Sequence, residues 1–130
     1  MKSKIIVSGF SIDLYEADIT LIVGEDIETI QKYVNEKIAK VDVSDTEGCV
    51  FEHHLDGRFK YYIVLVRNKI NHNLVAHEIY HLGVSIMKGI NITDEEATAW
   101  VIGYITQMIY AILSKKNLIS LFQQSINTKA

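Results

Sequence analysis

Residues 48–67 read GCVFEHHLDGRFKYYIVLVR, and this stretch decides the fold. Two runs of residues typical of β-strands flank the dipeptide Asp56-Gly57. An Asp-Gly connection between two such runs indicates a β-hairpin, because a type I′ turn needs positive φ at both central residues. The second run is rich in aromatic and β-branched residues, which strands favour. The sequence therefore predicts an antiparallel pair formed by Gly48 to Leu55 and Phe59 to Arg67.

The residues that precede the hairpin predict two strands and one helix. Lys4 to Val7 and Ile19 to Val23 are β-branched runs that end in turn residues. Asp26 is placed to cap a helix from Ile27 to about Lys40. Apolar residues recur in this segment at helical spacing, which predicts one buried face.

The residues that follow the hairpin predict two further helices. The first begins at Asn71 or Asn73 and runs to about Lys88, where Gly89 is a natural C-terminal stop. Thr93 is expected to cap the second, which runs from Asp94 to about Ser114.

The order of these elements predicts one α+β domain that spans residues 1–130. We expect a small, mostly antiparallel sheet of three or four strands. It would pack against one helix from the first half of the chain and two adjacent helices from the second half. Residues 115–130 are expected to form an amphipathic C-terminal tail.

Composition excludes several classes of protein. The chain has 130 residues, 48% of them apolar and 22% charged, which excludes general disorder. A net charge of −3 lacks the basic character that binding to nucleic-acid phosphates requires. Cys49 is the only cysteine, so an internal disulfide and a cysteine-only zinc site are both excluded. A single cysteine also suits a reducing compartment.

Neither apolar stretch of the chain predicts export or membrane insertion. The N-terminal run is too short for a signal peptide. Ala97 to Leu113 falls short of the ~20 apolar residues of a spanning helix and contains Thr106 and Gln107. We therefore expect a buried core helix there and no membrane partner. A cytoplasmic location is expected.

Residues 77–81, His77-Glu78-Ile79-Tyr80-His81, form an H-E-x-x-H motif inside a predicted helix. Residues four apart project from the same helix face, so both imidazoles can bind one Zn²⁺ at ~2.0–2.1 Å. Glu78 lies beside the first histidine and can accept a proton from zinc-bound water. The pattern would arise by chance in roughly one such chain in a hundred. The sequence thus predicts a zinc site with Glu78 as general base.

A third zinc ligand must come from outside the motif. A catalytic zinc usually has three protein ligands, and no H-x-x-G-x-x-H extension follows His81. The next helix opens with Glu95 and Glu96, and Glu96 shares a face with the small residues Ala99 and Gly103. Thr93-x-x-Glu96 also reads as a capping box, and that role for Glu96 would leave Glu95 as the ligand.

A family resemblance rests on these two helices. NLVAHEIYHLGVSIM (73–87) followed by DEEATAWVIGYI (94–105) resembles small phage- and prophage-encoded zinc metallopeptidases. In that family an A-H-E-x-x-H helix precedes a D-E-x-x-A-[YW]-x-x-G-[YW] helix. The resemblance covers most of residues 15–110 and implies a minimal, gluzincin-like zincin fold. It also implies that Glu96 is the third ligand.

The residues that would bind the substrate are less constrained. Four candidates could stabilise the oxyanion of the tetrahedral intermediate, and Tyr104 is the one retained as catalytic. The others are Tyr80, His54 and His72. The strand from Phe59 to Val66 is either an edge that binds an extended peptide by β-augmentation or a central core strand.

The predicted function is that of a zinc-dependent metallopeptidase acting on a peptide or protein substrate. An alternative is a phage structural or assembly protein that keeps the scaffold without turnover, with the tail docking a phage or host protein. A further alternative is a regulatory or anti-defence protein that binds or cleaves one host factor.

Overall fold

The computed structural model describes residues 4–44, 46–55 and 57–119. Four strands and three α-helices form an α+β fold, which confirms the predicted class. In chain order the elements are β1 (Ile5–Ile12), β2 (Ala17–Gly24), α1 (Ile27–Lys37), β3 (Gly48–Leu55), β4 (Arg58–Val66), α2 (His72–Gly89) and α3 (Glu95–Lys115).

The four strands form one mixed sheet in the order β1-β2-β4-β3. Strands β1 and β2 are antiparallel, as are β3 and β4, whereas β2 and β4 are parallel. Strand β4 hydrogen-bonds on both sides, so the expectation that Phe59 to Val66 offers a free edge to a peptide is wrong. The central-strand alternative is the correct one. Within the described residues the sheet edges are β1 and β3.

The two central strands explain why the sheet is covered on both faces. Tyr61 and Ile63–Val66 of β4 are buried, and β2 is equally apolar over its last four residues. A parallel pair of this kind needs cover on each face. Helix α1 packs on one face through Ile30 and Val34, and α2 and α3 pack on the other.

The hairpin forms where the sequence predicts it. β3 and β4 pair antiparallel from Gly48↔Leu65 to Leu55↔Arg58. Gly57 has φ of +77°, a conformation that glycine adopts without steric cost. Asp56, the other turn residue of the prediction, lies outside the described residues. Strand β1 extends well past the predicted Val7, because all eight of its residues pair with β2.

Helix α1 ends three residues before the predicted Lys40, at Lys37. Asp26 caps it as expected, since its side chain accepts a hydrogen bond of 2.7 Å from the Thr29 N–H. The chain after α1 is held by the Gln31 side chain. Gln31 donates to the Val41 carbonyl and accepts from the Val43 N–H, both at 2.7 Å.

The sequence predicts the N-cap of α2 correctly but not that of α3. Asn71 caps α2, accepting a hydrogen bond of 2.8 Å from the Leu74 N–H. Thr93 does not cap α3. That role belongs to Asp94, whose side chain accepts from the Ala97 N–H at 2.8 Å. The Thr93–Glu96 capping box, which the sequence offered as the alternative role for Glu96, is therefore absent.

Helix α3 is buried along one stripe rather than all round, which corrects the expectation of a buried core helix. Its buried residues are Val101, Ile105, Ile109 and Leu113. Among the described helices, α3 is the one long and apolar enough to cross a membrane by length and composition. After Lys115 the chain turns, and Leu118 and Ile119 pack on the core. The remainder of the predicted tail, residues 120–130, lies outside the described residues.

Candidate metal centre

The two histidines of the H-E-x-x-H motif lie side by side on the exposed face of α2. Their Nε2 atoms are 3.1 Å apart, and the ring centroids are separated by 4.6 Å. This arrangement follows from helix geometry, because residues four apart lie one turn apart on the same face. Both histidines are exposed, and their Nε2 atoms lie within hydrogen-bonding distance of each other. The structure thus brings His77 and His81 together as the sequence predicts.

Glu78 points away from solvent and towards β3. Its residue is only 5% exposed, and its Cγ lies 3.3 Å from where a Cβ on Gly48 would be. Burial raises the pKa of the Glu78 carboxyl, while the neighbouring His77 and His81 oppose that rise when charged. The glutamate therefore sits between the histidine pair and the first residue of an edge strand.

A polar cleft of about 420 Å³ opens beside this glutamate. Hydrogen-bonding groups dominate it, and it runs from the loop before β3 to the first two turns of α2. It is lined by Thr46, Glu47, Gly48, Asn71, Asn73, Leu74, His77 and Glu78. Sequence reasoning missed the contribution of residues 46–48, because only tertiary packing brings the start of β3 against α2.

The third ligand is not assembled. Among the described residues, no group of three or more histidine, cysteine, aspartate or glutamate side chains could hold a metal ion. Glu95 and Glu96 are both exposed in the first turn of α3. Glu96 lines a concavity of about 460 Å³ on the outer face of that helix, and neither histidine contributes to its lining.

The register of the two helices explains this separation. Gly83 faces Ile102, and His72 forms a hydrogen bond of 2.9 Å with the Tyr110 hydroxyl, so α2 and α3 run antiparallel. Extending these contacts along the helices places His81 at the same level along the helix axis as residue 103 or 104. Glu96 lies about 11 Å further along the axis, given a rise of ~1.5 Å per residue.

Tyr104 is not brought to the histidine pair either. Its hydroxyl is 3.5 Å from the Ser11 carbonyl, and its ring makes an edge contact with Phe10 of β1. Glu78 contacts β3, at the opposite edge of the sheet. Three strand spacings, roughly 14 Å, separate those edges. A catalytic role for Tyr104 has no support from this arrangement.

The remaining oxyanion candidates lie at different distances from the motif. Tyr80 is 58% exposed and its ring centroid is 6.2 Å from that of His81, so it borders the histidine pair. His72 is engaged with Tyr110. His54 contacts Glu52 and Phe59 in the sheet.

The donor set fits zinc as far as it is assembled. Two nitrogens that each lie ~2.0–2.1 Å from one ion can be at most about 4.2 Å apart. The Nε2 separation of 3.1 Å satisfies that limit without any change in the helix. Imidazole is a ligand that zinc prefers, and a carboxylate beside two imidazoles is suited to accepting a proton.

Comparison with known proteins adds no assignment to this site. No protein-family model, curated protein or solved structure matches the chain.

Proposed function

We propose that this protein is a zinc-dependent metallopeptidase that hydrolyses a peptide bond. The observation that carries the proposal is the 3.1 Å separation of the His77 and His81 Nε2 atoms, with Glu78 next to His77 in the chain and buried against Gly48. The likeness to small phage and prophage zinc metallopeptidases supports the same reading.

Each residue of the motif has a separate role in the proposal. His77 and His81 hold the ion. When bound, Zn²⁺ would lower the pKa of a coordinated water towards ~7 and polarise the substrate carbonyl. Glu78 accepts the proton of the attacking water and passes it to the leaving amine. Glu78 packs against Gly48, and this contact holds its carboxylate next to the cleft. A carboxylate that is already held in place loses less side-chain entropy when it accepts the proton.

The proposed substrate-binding element is the free edge of β3. The Val66 N–H donates to the Glu47 carbonyl at 3.0 Å, so Glu47 and Val66 form a hydrogen-bonded pair. Hydrogen-bonded and non-hydrogen-bonded pairs alternate along antiparallel strands, and this contact shows which pairs of β3 and β4 are which. Residues 48, 50 and 52 then direct their backbone N–H and C=O groups away from β4. An extended peptide can pair with those groups, and the cleft beside Glu78 starts at the same point.

Glu96 remains the proposed third ligand on the strength of the family resemblance, with Glu95 as the alternative. Either residue would have to approach the histidines when zinc binds, because α3 holds its first turn about 11 Å away along the helix axis. Such a ligand would couple metal binding to a movement at the start of α3.

Metal analysis of purified protein tests the zinc site. We expect about one zinc per chain in the wild type, as for catalytic sites of this type. His77→Ala and His81→Ala should lose it, whereas the matched variant His54→Ala, on β3, should retain it. Zinc retained in both motif variants would overturn the proposal.

Hydrolysis requires a second measurement. The Glu78→Gln variant should keep zinc and fold but lose cleavage of an unfolded protein such as casein by about 100-fold or more. Cleavage at the wild-type rate by Glu78→Gln would exclude Glu78 as the base. Zinc binding with no turnover of any unfolded protein would instead favour a phage structural protein that keeps the scaffold.

A further inference from the structure

The outward face of α3 is unusual because it carries no charge between its two ends, Glu96 and Lys115. Residues 97–114 contain no aspartate, glutamate, lysine or arginine. By contrast, the exposed face of α1 carries Glu28, Lys32 and Glu36. A helix that faces water is normally polar on its outer side. The exposed residues of α3 include Ala99, Trp100, Gly103, Tyr104, Gln107 and Ala111.

The shape of this face suits another helix. Trp100 is 76% exposed and Tyr104 is 42% exposed, whereas a Cβ on Gly103 between them would meet no atom within 4 Å. A large side chain thus stands beside an open gap, in a concavity that runs from Glu96 to Gln107. Packed helices interlock through such knobs and holes, and small residues let their axes approach closely.

The two ends of the face have opposite charges. Glu96 lies at its start and Lys115 at its end, both exposed, and neither takes part in an ion pair with another described residue. If a second α3 packs antiparallel about the point between residues 105 and 106, Glu96 of one copy meets Lys115 of the other. Trp100 then meets Ala111. Two-fold symmetry makes each of these contacts twice.

We propose that the outer face of α3 binds a second copy of this chain as an antiparallel, two-fold dimer. A lipid bilayer fits the face less well, for two reasons. The opposite stripe of α3 is buried in the protein core through Val101, Ile105, Ile109 and Leu113. The outer stripe also contains Gln107 and Ser114, which a bilayer interior disfavours.

Trp100 gives a direct test, because it is the only tryptophan in the chain. Sedimentation equilibrium in EDTA should show a reversible dimer with a dissociation constant on the order of 10 µM, as suits a small interface. EDTA makes the result independent of the proposed zinc site. Over the same concentration range the Trp100 emission should move to shorter wavelength. The variant Gly103→Glu should remain monomeric and keep the wild-type helical circular dichroism.

Charge reversal tests the antiparallel register. Glu96→Lys or Lys115→Glu alone should weaken the dimer by about 10-fold or more, because like charges then meet twice. The double variant should return to within about 3-fold of wild type, since both pairs are restored with reversed sign. Lys37→Glu, at the end of α1, serves as the control and should leave the dimer unchanged.

Three results would overturn the dimer. One is a monomer at about 200 µM, well above the expected dissociation constant. Another is a double variant in which the dimer is weakened by the combined effect of the two single substitutions. The last is a monomer whose Trp100 emission shifts only when phosphatidylcholine vesicles are added, which would assign the face to lipid.

Discussion

Gly83 of α2 lies so close to Ile102 of α3 that a Cβ on residue 83 would be 2.4 Å from the Ile102 Cγ1 atom. At this point the two helices of the candidate site approach each other too closely for a side chain at position 83. Together with the His72–Tyr110 hydrogen bond, this contact sets which residues of α3 lie level with the histidine pair. Glycine at position 83 therefore serves the site indirectly, through the register of the helices.

A methyl group at position 83 should destabilise the fold. In Gly83→Ala, accommodating the added methyl group should lower the free energy of unfolding by about 1–3 kcal/mol. The better helix propensity of alanine should raise it again by about 1 kcal/mol. Gly103→Ala is the matched control, because its Cβ meets nothing, and it should be neutral or stabilising. Urea unfolding of dilute protein measures both. Equal stability of the two variants would mean that Ile102 yields without cost.

The same register makes a prediction about the third zinc ligand. If Glu96 binds zinc, the first turn of α3 must move, and Trp100 lies one turn further along that helix. Zinc titration should then change the Trp100 emission, and Glu96→Ala should weaken binding by about 10-fold or more. Glu95→Ala should stay within about 3-fold of wild type. An unchanged Trp100 emission, with full affinity in both variants, would place the third ligand elsewhere.

Local signals in the sequence predict most of the fold. Asp26 and Asn71 cap helices as expected, and Asp56-Gly57 marks the position of a β-hairpin, because each of these signals acts within a few residues. The strand order was not predictable in that way. The parallel pairing of β2 with β4 joins segments about 40 residues apart, and local propensity carries no information on it.

The candidate site also has one part that the sequence predicts and one part that it does not. His77, Glu78 and His81 belong to one helix, so their spacing alone predicts their proximity. Glu96 and Tyr104 belong to a second helix, and their positions relative to the histidines depend on the axial offset at which that helix packs on the first. That offset is set by tight packing, such as Gly83 against Ile102, which the residue types in isolation do not reveal.

Cys49 should react slowly with thiol reagents in the native protein. Burial raises the pKa of its thiol to about 11, and the charge of Glu78 adds to the rise. At pH 8 the thiolate, which is the reactive form, is then roughly 100-fold rarer than for an ordinary cysteine. Reaction with Ellman's reagent measures this, with the urea-unfolded chain as the reference. Equal rates in the two states would show that the thiol is accessible and not shielded by the sheet.

Asp18 ties three strands together, so its charge should contribute stability that depends on pH. Arg58 donates two hydrogen bonds of 2.9 Å to its carboxylate, and the Ser11 hydroxyl donates a third of 2.8 Å. The hydrogen bonds from Arg58 are the main reason that the pKa of Asp18 lies well below its ordinary value. The stabilisation is therefore complete above the ordinary pKa of about 3.9 and is lost as the pH falls towards the lower, folded-state value.

Asp18→Asn should accordingly lower the melting temperature at pH 7, and the difference from wild type should shrink as the pH falls below about 4. Added salt at about 1 M should also reduce it, because the ion pair is partly exposed. Glu36→Gln, on the exposed face of α1, controls for the loss of one negative charge and should show neither dependence. A deficit in Asp18→Asn that persists unchanged down to pH 2 would mean that the side chain stabilises the sheet through its shape rather than its charge.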